Sequence, residues 1–190
     1  IRLSLVGSEM CIRDRWYQEL LDKFGLETLI LEAKSYNARH SDGATNPFEA
    51  DRPVICSYPF ARGKERDIRK VPWDLVVLDE AHRLRNVYKP GNVIGRALMG
   101  ALEHVPSKVL LTATPLQNSL LELYGLVSFI DDRVFGDLDS FRNQFGQPGK
   151  PHTMEALRSR IGALCKRTLR RDVQPFVPYT RRRALVQEFT

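Results

Sequence analysis

The sequence predicts an α/β fold built on a parallel sheet, and two observations carry that prediction. Short apolar runs alternate with helical segments along the chain, and several of the runs are apolar throughout, the mark of strands covered on both faces. The 190 residues suffice for one good core, or for one domain with part of another. A hydrophobic fraction of 43% and a charged fraction of 27% are those of an ordinary globular protein. No apolar run approaches the roughly 20 residues that a membrane-spanning helix needs.

The elements follow in order. WYQELLDKF predicts a helix with Trp16, Leu20, Leu21 and Phe24 on one face, stopped by Gly25. ETLIL, Glu27–Leu31, predicts a short strand. From Glu32 to Arg52 the composition turns polar around SDGATNP, which predicts a long loop. PVICSY is a second strand, and the charged ARGKERDIRK after it a helix. WDLVVLDEAH holds a third strand, Leu75–Leu78, that ends in acidic residues. GNVIGRALMGALEHV is a helix starting at Asn92, SKVLLTAT a fourth strand, and SLLELYGLVSFI an apolar helix with Ser119 as its expected cap. Beyond it come a Gly/Pro-marked stretch, a helix around Met154–Cys165, and the strand-like RALVQEF.

Charge is unevenly placed. The chain carries a formal +6, yet from Arg158 onward nine basic residues face two acidic ones, so the remainder is close to neutral. A basic end of this kind fits phosphate or nucleic-acid contact, and equally a solvated linker. Cys11, Cys56 and Cys165 stand far apart without CxxC pairing, and the four histidines show no HExxH spacing. A zinc site or disulfide framework is unsupported, and a reducing, cytoplasmic setting is the expectation.

In LVVLDEAH, four apolar residues lead straight into Asp79 and Glu80. Parallel sheets bind ligands at the carboxyl ends of their strands, which is where these carboxylates emerge. Asp79 is suited to holding Mg²⁺ through water, because this ion keeps much of its hydration. Glu80 is suited to orienting and polarising the water that attacks a terminal phosphate. Alone, an Asp-Glu pair is often no more than a polar strand end. About thirty residues later a second strand ends in LLTATPLQN, delivering Thr112 and Thr114 to the same sheet edge. That loop is the expected partner of His82. Strands 75–79 and 108–112 are therefore expected to be adjacent and parallel.

DEAHRLRN followed by LLTATPLQNSLLELYGLVSFI resembles motifs II and III of the Swi/Snf-type DNA-dependent ATPases of helicase superfamily two. The TATPLQN tail is more specific than DEAH, which many helicases share. QELLDKFGL resembles the helix after motif Ia, PVICSYPFAR the family's "SYe" segment, and CKRTLRRDVQPFVP the Arg-Arg-x-x-Val segment leading towards a second lobe. The resemblance runs from about Trp16 to Thr190. It implies a partial RecA-like first lobe over 16–165 and a basic linker with the start of the second lobe over 166–190. It implies ATP and Mg²⁺ as cofactors, double-stranded DNA as partner, and translocation driven by hydrolysis. Asp79 then matches the magnesium-holding aspartate and Glu80 the catalytic glutamate. His82, Thr112, Thr114, Gln117 and Asn118 match coupling residues, while Arg170 and Arg171 face DNA or the second lobe. Ala113 departs from the glycine common in "LTGTP", which bears on subfamily rather than chemistry. Two alternatives stay open: another superfamily-two ATPase acting on RNA or in restriction, and a catalytically dead nucleic-acid-binding module.

A phosphate-cradling loop, G-x-x-x-x-G-K-[ST], is not among these residues. The two Gly-Lys pairs, Gly63-Lys64 and Gly149-Lys150, lack both the upstream glycine and the hydroxyl. In the family this loop lies before the segment resembling WYQELL. The opening LVGSEMCIRDR agrees residue for residue with a translated transposase adapter used in sequencing. Residues 1–15 are accordingly expected to be foreign to the natural chain and to stay out of the fold. This polypeptide by itself is expected to be inactive.

Overall fold

A computed structural model describes residues 3–7, 10–114, 119–146 and 151–166. The chain divides into two compact units, Ile1–Lys150 and Pro151–Thr190. In the first unit, five parallel strands lie in the order β2-β3-β1-β4-β5. They are β1 (Leu3–Gly7), β2 (Leu29–Leu31), β3 (Val54–Ser57), β4 (Leu75–Leu78) and β5 (Ser107–Leu110). The second unit contributes one described helix, α8 (Pro151–Ile161).

The intervening helices are α1 (Met10–Phe24), α2 (Ala33–Ser41), α3 (Tyr58–Gly63), α4 (Glu65–Lys70), α5 (Val93–Ala101), α6 (Leu120–Ile130) and α7 (Leu138–Phe145). Local chemistry sets their ends. Gly25, at φ 63°, lets the chain leave α1 through a left-handed cap in which its amide reaches Leu21 O at 2.9 Å. Ser57 Oγ accepts the Phe60 amide at the start of α3, and Asn92 Oδ1 accepts the Gly95 amide at the start of α5. Ser119 precedes α6 in extended conformation, but its side chain makes no capping bond.

The strands alternate between two cores. Val54 and Cys56 of β3 and Val76 and Leu78 of β4 join one large cluster with Tyr58, Leu84, Leu98 and Leu102. Ile55 points the other way, towards Leu20 of α1 with Trp16 and Val77. Helices thus cover both faces, as the uniformly apolar strands require.

Two expectations are overturned. The polar stretch from Glu32 to Arg52 is not one long loop, because α2 occupies Ala33–Ser41. Its start is fixed by the Glu32 amide donating to Ser35 Oγ at 3.0 Å. Residues 1–15 do not stay out of the fold either. Leu3–Gly7 forms β1, the central strand, paired with β3 on one side and β4 on the other. A central parallel strand needs a short apolar run and backbone hydrogen bonds on both edges, and LSLVG meets both requirements without any particular side-chain pattern. Ser4 and Arg13 are buried, and Arg13 Nη1 lies 3.4 Å from Glu32 Oε2.

Candidate active site

β4 and β5 pair parallel, with Leu75 opposite Ser107 and Leu78 opposite Leu110. The expected adjacency of these strands therefore holds. Beyond the strands the link persists: the Leu111 amide donates to Leu78 O at 2.9 Å, and the Ala81 amide donates to Leu111 O at 2.8 Å. Asp79, Glu80, Thr112 and Thr114 thus leave the same edge of one sheet.

Asp79 is tightly held. Its Oδ1 accepts the Glu80 amide at 2.9 Å, its Oδ2 accepts Trp16 Nε1 at 2.9 Å, and its backbone carbonyl accepts the Tyr58 hydroxyl at 2.8 Å. Tyr58 is completely buried. Burial first, and then the negative charge of Asp79, push its phenol pKa far above the ordinary value, so the hydroxyl stays a donor. Neither Trp16 nor Tyr58 was a site candidate by sequence; both are 21 or more residues from Asp79 and carry no local signal.

Glu80 has φ 52° and ψ 42°, and among the described residues it is the only non-glycine with positive φ. Strain of this kind collects at functional positions. The left-handed step turns the chain into a short 3-10 helix, Ala81–Leu84, and swings the side chains of residues 80 and 82 together. Glu80 Oε2 lies 3.1 Å from His82 Nδ1 without the alignment of a hydrogen bond. Nδ1 of His82 thus meets Glu80, while residues 115–118 of the threonine loop expected to partner it lie outside the described residues. Thr112 Oγ1 instead accepts the Thr114 amide at 3.1 Å, folding its loop back on itself.

The turn after the carboxylates rests on α6. A Cβ on Gly125 would stand 2.0 Å from Arg85 O, so the two backbones touch. Beside that contact Arg85 Nε faces the buried Glu122 Oε1 at 3.7 Å. On the other side Asn92 Nδ2 donates to Arg83 O at 2.9 Å. The apolar helix that follows the threonine loop thus supports the acidic turn directly. Gln117, Asn118, Arg170 and Arg171 lie outside the described residues.

With this geometry in hand, similarity to known proteins is informative. Residues 5–184 match the family model of the SNF2-related domain. The chain is 31% identical over 146 residues to RNA polymerase-associated protein RapA of Yersinia enterocolitica, covering 75% of this chain and 15% of that protein. It is 28% identical over 163 residues to Protein CHROMATIN REMODELING 4 of Arabidopsis thaliana, covering 85% of this chain and 7% of that protein. It therefore spans a small part of the length of either relative. Among solved structures, the Sulfolobus solfataricus SWI2/SNF2 ATPase core in complex with dsDNA superposes with TM-score 0.65 at 20% identity, over 85% of this chain and 32% of that one. The same core domain without DNA in its name superposes with TM-score 0.60 at 20% identity, over 83% and 31%. The chain belongs to the SNF2-related domain family, and its fold is that of a RecA-like lobe of a Swi2/Snf2-type ATPase core.

Proposed function

We propose that this chain is most of the first lobe of an ATP-driven translocase or remodeller acting on double-stranded DNA, with the DEAH turn as its hydrolytic centre. One observation carries the reading: the Ala81–Leu111 hydrogen bond joins the acidic turn to the threonine loop, so two carboxylates and two hydroxyls share one sheet edge. A module that only bound nucleic acid would have no physical need for that pair of carboxylates. The dsDNA named in the Sulfolobus solfataricus structure supports the choice of partner.

In this reading Asp79 holds Mg²⁺ through water. Each of its carboxylate oxygens accepts one hydrogen bond and keeps a lone pair free. Mg²⁺ keeps several waters and takes few protein carboxylates, so one aspartate beside the phosphates is a sufficient protein ligand. When bound, the ion supplies neutralisation of charge on the phosphates. Glu80 orients the attacking water and takes its proton, with the His82 ring beside its carboxylate. Thr112, Thr114, Gln117 and Asn118 transmit the nucleotide state, and Arg170 and Arg171 contact DNA or the second lobe.

Residues 1–15 are read as adapter-derived. Because β1 requires only an apolar run with free backbone groups, a foreign pentapeptide can fill it. A genomic clone that encodes LVGSEMCIRDR in frame would refute that origin. The function is tested by ATP turnover of the full-length protein with and without duplex DNA, beside its Glu80→Gln variant. Gln keeps the size of Glu but cannot accept a proton, so Mg·ATP should still bind while turnover falls by orders of magnitude. Full turnover in that variant would sink the role of Glu80.

A further inference from the structure

The geometry points to Tyr58 as a positioning residue for Asp79, acting through the backbone carbonyl rather than the carboxylate. The inference rests on the nucleotide-site reading above. The β4–β5 ladder continues past Leu78 through Leu111, and the next strand-to-strand bond is made by the Ala81 amide. Between them the left-handed Glu80 rotates the Asp79–Glu80 peptide out of the ladder. Strand alternation turns the Asp79 carbonyl away from β5, towards the end of β1, and the Tyr58 hydroxyl donates to it at 2.8 Å.

That donor comes from an unexpected distance. Tyr58 follows β3, which is not a neighbour of β4 because β1 lies between them. The side chain must reach across the end of the central strand, and its backbone is fixed for that reach. Ser57 Oγ caps the first turn of α3, and Pro59 occupies the next position. The ring sits fully buried in the main core beside Leu78 and Ala81. Phenylalanine would fill the same space, so packing alone does not call for a hydroxyl. What the hydroxyl adds is a fixed orientation for the peptide whose Cα carries the carboxylate of Asp79 and whose amide closes onto Asp79 Oδ1.

Groups that orient a metal-holding residue from outside typically change metal affinity by about 10–100-fold when removed. The test uses the full-length protein and its Tyr58→Phe variant, with Mn²⁺ as a paramagnetic substitute for Mg²⁺. Titration of Mn²⁺ in the presence of ADP, followed by electron paramagnetic resonance, should show affinity about tenfold weaker in the variant. Hydrogen exchange at the Glu80 and Ala81 amides should quicken, and kcat should recover as Mg²⁺ is raised to saturation. Unchanged Mn²⁺ affinity together with a lowered melting temperature would make Tyr58 a core residue and nothing more. As a check that perturbs the fold less, 3-fluorotyrosine at position 58 should shift its ¹⁹F resonance on addition of Mg²⁺ and ADP, and a silent resonance would count against the proposal. Failure of the unaltered protein to bind Mn²⁺ with ADP would instead overturn the nucleotide site itself, and the positioning role with it.

Discussion

The amide of Ala81 donates to the carbonyl of Leu111 at 2.8 Å, one residue past the Asp79-Glu80 pair on one side and one residue before Thr112 on the other. Two segments thirty positions apart in the chain are thereby one hydrogen-bonded body. Movement of the acidic turn must carry the threonine loop with it or break this bond.

The support beneath that body is Gly125. Replacing it with alanine places a methyl group 2.0 Å from Arg85 O, a backbone atom that cannot swing aside. Overpacking of this type costs about 1–3 kcal/mol. Gly63→Ala serves as a comparison, since nothing lies within 4 Å of its Cβ. Denaturant unfolding should show a lowered midpoint for Gly125→Ala and little change for Gly63→Ala. Equal behaviour of the two would mean that α6 can withdraw from the turn without loss.

Glu80 makes the opposite prediction. Its left-handed backbone carries strain that glycine does not feel, and the strain at such a site is on the order of 1–3 kcal/mol, partly offset by the greater freedom of glycine when unfolded. Glu80→Gly should therefore stabilise the fold by up to about 1 kcal/mol while abolishing turnover in the full-length protein. Glu80→Ala, which keeps a Cβ, should lose turnover without that gain. Chemical denaturation of the three proteins decides it; a glycine variant no more stable than the alanine one would show that the turn is unstrained.

How much of this was legible in the sequence depends on what each feature needs. β4 is an apolar run ending in acids, and β5, SKVL, runs through Leu111 into hydroxyls, so their nature and adjacency could be read directly. α2 could not, because AKSYNARHS buries only Tyr36 and has no apolar stripe. α7 hid behind glycines, although Asp137 followed by Phe141 and Phe145 is a cap with a helical spacing that could have been found. LSLVG defeats a reading by period, since a central strand shows none. The bonds from Trp16 and Tyr58 to Asp79 span 63 and 21 residues and depend on strand order, which no local pattern contains.

Stability should fall at alkaline pH. Burial raises the Cys56 thiol from 9.0 to about 12, and burial together with the Asp67 carboxylate raises the Tyr36 phenol from 10.0 to about 12. Both groups are neutral acids whose charged form the fold disfavours. Above pH 9 the unfolded chain releases these protons while the folded chain retains them, so the unfolded state binds fewer protons and stability declines with pH. The loss should begin near pH 9 and continue to about pH 12. Cys56→Ala should delay the onset towards pH 10, where tyrosine takes over. Unfolding midpoints measured from pH 8 to 12 test this, and an onset unmoved in the variant would remove Cys56 from the account.

Catalysis by the polypeptide in isolation is the sharpest case. It has the carboxylates of Asp79 and Glu80, but no G-x-x-x-x-G-K-[ST] loop to hold the β- and γ-phosphates. An arginine finger from a second lobe would be needed as well. Positioning and charge neutralisation account for nearly all the rate of phosphoryl transfer, and an arginine finger alone contributes about 10³–10⁵. The Trp16 indole is also bonded to Asp79 Oδ2 at 2.9 Å, so one carboxylate oxygen already has a donor in place. This polypeptide should show no measurable ATP hydrolysis, with or without duplex DNA, while the full-length protein hydrolyses ATP in a DNA-stimulated manner. Trp16→Phe should not rescue the isolated chain, because freeing Asp79 supplies neither the phosphate cradle nor the arginine. Phosphate release assays on the three proteins are the measurement. Turnover by the isolated chain would mean that the chemistry needs neither the lysine loop nor a second lobe.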